Sequence, residues 1–222
     1  MSDARRLFSE MKKEMAGLAD RIRTHPFVAG VGSGAAPREV FPVFAGEQYH
    51  IIESDLRSVA NLLSRHPSQP AHDFFWGTLQ GEKAALDSLL LFGKALGLDR
   101  DALSDHEPDP QAHAYTAYMA WLGAYGAAGE VAASFALNFS AWGENCARMS
   151  TGLRQHYGFS SEDVAFFDLF ANPPEDLEDR AAEIVDHDLA HGLPPRRIKR
   201  SARLLQGYEL MFWDAMESHR RT

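Results

Sequence analysis

The sequence predicts an all-α chain of seven or eight helices packed around one core. Three observations carry that expectation. Apolar residues recur at three- and four-residue intervals through almost the whole length, no stretch alternates apolar with polar residues as a half-buried strand would, and glycine and proline fall in the joints between periodic stretches. At 222 residues the chain reads as a single domain, 1–222, long enough to bury a sizeable core.

The first helix is expected from Ser2 to about Thr24, where Leu7, Met11, Met15, Leu18 and Ile22 step by four, four, three and four behind a Ser2 or Asp3 cap. His25-Pro26 stops it, and Gly30, Gly32 and Gly34 read as a loop. Pro37 suits the first turn of a second helix ending near Arg65, with Phe41, Phe44, Ile51, Leu56, Val59 and Leu63 inward and Glu47 and His50 on a neighbouring stripe. A third helix runs from about His72 to a Gly97 stop, and Gly77 and Gly81 inside it point to a closely packed neighbour. Residues 98–112, rich in Asp and Pro, read as a loop, after which Tyr115, Tyr118, Met119 and Leu122 resume the helical rhythm. A long helix over about Glu130–Tyr157 carries Val131, Phe135, Asn138, Trp142, Cys146 and Met149 on one stripe. A short aromatic helix, Val164–Phe170, ends at Pro173-Pro174; Glu175–His191 follows, and the last helix starts at Pro194-Pro195 and reaches about Ser218.

Composition excludes several classes. No apolar run approaches the roughly 18 residues of a membrane span, and the N-terminus lacks the apolar core of a signal peptide. A single cysteine, Cys146, excludes an internal disulfide, and the cytoplasm is the expected compartment. The net charge of −9 opposes contact with nucleic-acid phosphates, and the basic run Arg196–Arg200 is balanced by acidic residues just upstream.

The residue that draws chemical attention is Glu209, in Leu204-Leu-Gln-Gly-Tyr-Glu-Leu-Met-Phe-Trp-Asp-Ala-Met216. On a helix it lies at the edge of an apolar face, beside Phe212 and Trp213; a carboxylate desolvated there gains proton affinity and moves towards the range useful for acid–base work. A boundary glutamate paired with a base such as Arg203 is the other reading of this stretch. Asn138, in the middle of an apolar stripe, is either satisfied in a structural network or turned into a wet pocket. Glu47 and His50 could form an acid–base pair or an ordinary helix-surface pair. Glu183, His187 and His191 have the spacing of a helical metal pair, but the missing glutamate after the first histidine and the helix-end location favour a solvated face. Cys146, with no base beside it in sequence, reads as a small core hydrophobe.

Two stretches together resemble the TenA (thiaminase II) family, within the heme-oxygenase-like fold shared with the pyrroloquinoline-quinone synthase C protein: His25-Pro-Phe-Val28 with Phe41 and Glu47-Gln-Tyr-His50, and Tyr208-Glu-Leu-Met-Phe-Trp-Asp214. Between them Tyr115-Thr-Ala-Tyr-Met119 and the helix with Ala132, Ala133 and Glu144 fall in the family's order and spacing. The resemblance implies a homo-oligomer of single all-α domains, each with a closed pocket for a flat heteroaromatic ligand; thiaminase II hydrolyses aminopyrimidines from degraded thiamin. Glu209 matches the family's C-terminal catalytic glutamate and Glu47 the acid that holds the pyrimidine, so these two are the expected catalytic residues. His50 stands where a tyrosine is usual, Tyr115 matches a pocket tyrosine, and Trp142 falls on another. The family's nucleophilic cysteine falls on Asn138; relatives lacking that cysteine use acidic residues instead. Tyr208, Glu144 and Glu82 complete the expected substrate-binding set. Oxidases of the same fold would take Glu82 and Glu144 as iron ligands, but their histidine-bearing set is replaced by Phe170, Pro174 and Leu177, and His25 at a helix end is a poor heme ligand; no metal and no cofactor are expected. The expected function is therefore a cytoplasmic, thiaminase II-like protein acting on a small heteroaromatic compound, with no nucleic-acid or membrane partner. A non-catalytic binding member of the fold is the alternative, and a metal-dependent oxidase a more distant one.

Overall fold

The computed structural model describes residues 2–221, and among them eleven helices and no strand. They are α1 (Asp3–Glu14), α2 (Ala16–Arg23), α3 (Pro26–Gly32), α4 (Val40–Arg65), α5 (Ala71–Ala95), α6 (Arg100–Ser104), α7 (Pro110–Tyr125), α8 (Ala128–Tyr157), α9 (Ala165–Ala171), α10 (Leu177–Ala190) and α11 (Pro195–Arg221). Among the described residues no helix is long and apolar enough to cross a membrane.

The excess over eight helices has three local causes. The expected first helix breaks at Met15 because its halves pack on different partners, α1 on α10 and α2 on α8 and α11, and Gly17 weakens the turn between them. The expected glycine loop is helical as α3: Pro26 occupies its first turn, His25 Nδ1 accepts from the Phe27 N–H at 3.3 Å, and Phe27, Val28 and Val31 are buried. Gly34, at φ +78°, ends that segment as only glycine does easily. Within the Asp/Pro-rich loop, Asp99 accepts from the Ala102 N–H at 2.9 Å and starts α6.

α8 is the axis of the bundle, in contact with α2, α3, α9, α10 and α11. Glu130 in its first turn accepts from the Ala127 N–H at 2.9 Å and from Arg197 at 2.6 Å, which fixes both its start and the approach of α11. A Cβ on Gly152 would lie 2.4 Å from the Val31 carbonyl oxygen, so glycine there lets α3 lie directly on α8. Two apolar clusters fill the bundle. One is built on Phe44, Phe166, Phe167, Phe212 and Trp213, the other on Phe8, Phe75, Met119, Phe135 and Leu205. Tyr115 and Phe139 touch both, and the candidate site lies at this seam.

Candidate functional site

Four long helices, α4, α5, α8 and α11, together with α7 and α9 enclose a narrow cavity. α4 presents Gln48, Ile51, Ile52 and Asp55, and α8 presents Phe135, Asn138, Phe139 and Trp142. Each set is one face of a helix, at positions i, i+3, i+4 and i+7. α5 adds Glu82, α7 Tyr115, α9 Phe170, and α11 Glu209 and Phe212. The space open to the centre of a water molecule is about 40 Å³, room for about three waters, so a flat ring enters only as the aromatic walls give way.

Its chemistry is unusual for so dry a place. Asp55, Glu82 and Glu209 are 4%, 6% and 2% exposed, and among the described residues no lysine, arginine or histidine lines the cavity. Trp213 Nε1 donates to Glu209 Oε1 at 3.0 Å, while Glu209 Oε2, Asp55 Oδ1 and Asn138 Oδ1 have no partner among the described residues. Burial pushes Glu209 up from 4.5 to about 8, against the lowering pull of the Trp213 hydrogen bond and the Arg23 charge. Burial likewise pushes Glu82 to about 7, and burial with the Glu82 charge holds Asp55 well above the usual carboxylate range. Tyr115 is held up by burial and by the charges of Asp55, Glu82 and Glu209, which ties all three carboxyls to one place. Near neutral pH the cavity therefore holds carboxyls that can give a proton beside ones that can take it.

The structure brings Glu209, Glu82, Tyr115, Asn138 and Trp142 of the expected residues to the cavity and places four elsewhere. Glu47 is 1% exposed but accepts from the Asp109 N–H at 2.6 Å and faces His106 Nε2 at 3.1 Å, so it closes the α6–α7 loop. His50 Nε2 bonds the His106 carbonyl of the same loop at 2.7 Å. The reason is angular: the cavity-facing register of α4 is 48, 51, 52 and 55, and Glu47 points about 100° away, which makes Gln48 the residue at the position assigned to Glu47. Tyr208, one residue before Glu209, packs on Tyr118 with ring centroids 5.0 Å apart. Glu144 is half exposed and pairs with Arg23 at 3.0 Å, so it shares no site with Glu82. Among the described residues no group of three or more His, Cys, Asp or Glu side chains is arranged to hold a metal ion. Cys146 is fully buried in the apolar cluster and is absent from the cavity wall.

Asp55 is the residue that sequence reasoning missed. It lies on the stripe Phe44, Gln48, Ile51, Ile52, Val59, Leu62, and the argument that singled out Glu209 applied to it equally. Phe139 and Phe170 carried no such signal.

The TENA/THI-4/PQQC family model matches residues 12–219. The chain belongs to that family. Solved structures with the same architecture include a TenA homologue from P. horikoshii OT3 at 19% identity and TM-score 0.77, covering 95% of this chain and 97% of that one. A TenA homolog from Pseudomonas syringae pv. tomato matches at 14% and 0.78, covering 95% and 92%. A putative TenA-like thiaminase from Sulfolobus solfataricus matches at 12% and 0.64, covering 96% and 97%. At such identities these TenA structures establish the heme-oxygenase-like fold and nothing finer. No curated protein matches the chain.

Proposed function

We propose that this TenA family protein binds a small, flat, protonatable aminoheterocycle in the α4–α5–α7–α8–α11 cavity and hydrolyses a carbon–nitrogen bond of it. The observation that carries the reading is the set of three buried carboxyls with no cationic side chain among them, two of which, Asp55 and Glu209, carry an orphaned oxygen. Such acceptors call for a ligand rich in N–H donors and able to carry positive charge, which an aminopyrimidine is. Phe135, Phe212 and Trp142 supply the flat apolar faces.

In the hydrolysis, Asp55 or Glu82 takes a proton from water, the water oxygen bonds to the carbon bearing the leaving nitrogen, and that carbon–nitrogen bond breaks. Protonated Glu209 gives its proton to the departing nitrogen, and the two carboxyls exchange a proton through solvent to reset. One water is consumed and one amine is released. The arrangement needs no nucleophilic cysteine, which suits a chain with Asn138 at that position. The same asparagine favours a second reading, a binding protein without turnover. We further take the protein to be a homo-oligomer, since Tyr118, Trp121 and Tyr125 form a partly exposed aromatic ladder on α7.

Titration calorimetry with 4-aminopyrimidines in two buffers of different ionisation heat tests the pocket, because a bound cation ionises carboxyls and expels protons. Ammonia or amine release from the same compounds tests the chemistry, and Glu209→Gln should lower it about 10² to 10⁴-fold while ligand still binds. Binding without turnover selects the second reading, and no binding refutes both.

A further inference from the structure

Beside the inner cavity lies an outer cleft of about 340 Å³ by the same measure, within the range of small-molecule sites. The two spaces share three walls, Glu82, Phe139 and Phe170. The rings of Phe139 and Phe170 have centroids 6.1 Å apart, and Phe170 meets Trp142 edge-on at 5.8 Å. A partition made of two aromatic side chains moves by rotamer change, without rearrangement of the backbone. The floor of the cleft is the α5 face at Gly77 and Gly81, one turn apart, where a Cβ on Gly81 would meet nothing within 4 Å. Its sides are mostly apolar, from Phe74, Leu169 and the Pro173-Pro174 turn, and Leu169 is 37% exposed at the rim. The missing side chain at Gly81 therefore opens a trough, whereas at Gly77 the Arg180 guanidinium from α10 lies 3.4 Å from where a Cβ would stand.

Resting on the aminoheterocycle reading of the inner cavity, we propose that cavity and cleft form one continuous binding tract, and that the substrate is a nitrogen-base head carrying an extended apolar substituent. The head lies among Asp55, Glu82, Asn138 and Glu209, and the substituent passes between Phe139 and Phe170 onto the glycine floor. Polarity fixes this orientation. The buried carboxyls reject an apolar or anionic group, whereas the cleft has the apolar area to reward a chain. Arg180, whose guanidinium lies over Phe74 and bonds the Asp73 carbonyl, adds positive charge at the outer end and disfavours a cation there.

The test is a series of 4-aminopyrimidines with 5-alkyl chains of one to eight carbons, measured by calorimetry. Affinity should rise about three- to fourfold per methylene and level off once the cleft is filled. In Gly81→Leu, whose side chain enters open space and replaces a weak helix former with a strong one, that rise should flatten. A methyl compound that binds while longer chains gain nothing overturns the tract and leaves the inner-pocket reading standing. If no member binds, both fall. Alkanoic acids of matching length binding as tightly as the pyrimidines overturn the assignment of the head to the carboxyl end.

Discussion

Glu209 has a folded-state proton affinity that ties stability to pH, and this is the most direct consequence of burying it. Its carboxyl titrates near 4.5 in an unfolded chain and at about 8 here, chiefly through burial. Between those values the native protein holds a proton that the unfolded chain has released, so the stability associated with the neutral acid is complete below about 4.5 and is lost as pH rises towards 8. Each pH unit across that window costs about 1.4 kcal/mol, or about 5 kcal/mol over all of it. Glu209→Gln keeps the shape and an acceptor for Trp213 Nε1 but cannot ionise. Thermal unfolding from pH 5 to 8.5 should show the variant's advantage growing steadily with pH. For a chain of 222 residues the difference at the alkaline end should reach about 10 to 20 °C. Comparing the two proteins at each pH removes the contribution of titrating groups that do not interact with Glu209. Parallel melting curves would refute the claim that this carboxyl is desolvated, and with it the general-acid role.

Three other outcomes follow from the placement of individual side chains. Glu47→Gln should destabilise by about 1 to 2 kcal/mol through weaker bonds to Asp109 and His106 and leave aminopyrimidine affinity unchanged, because Glu47 closes a loop; calorimetry showing a large loss of affinity would return Glu47 to the binding site. Elemental analysis of protein purified with and without oxygen should find no stoichiometric iron or zinc, since the described residues offer no cluster of ligands. Light scattering at micromolar concentration should give a multiple of the 24.7 kDa chain mass, and Trp121→Glu should reduce it; the mass of one chain in the parent protein counts against the oligomer.

The periodicity of apolar residues determined the class of fold, seven of the helices and the helical stretch that the structure divides into α1 and α2, because a helix that must bury one face writes that requirement into every third or fourth position. It also marked Glu209, Asn138 and Trp142, whose polar or bulky side chains sit on stripes that have to face inwards. What it left open was which of two adjacent inward positions meets the cavity. Glu47 and Gln48 are both almost fully buried, yet one serves the α6–α7 loop and the other the cavity, and that choice is made by the rotation of α4 against α5 and α7. Chain order likewise says nothing of the meeting of Asp55, Glu82 and Glu209 across three helices. Each carboxylate alone reads as an ordinary boundary residue; only their shared burial without a cation, fixed by how the helices pack, turns them into a site.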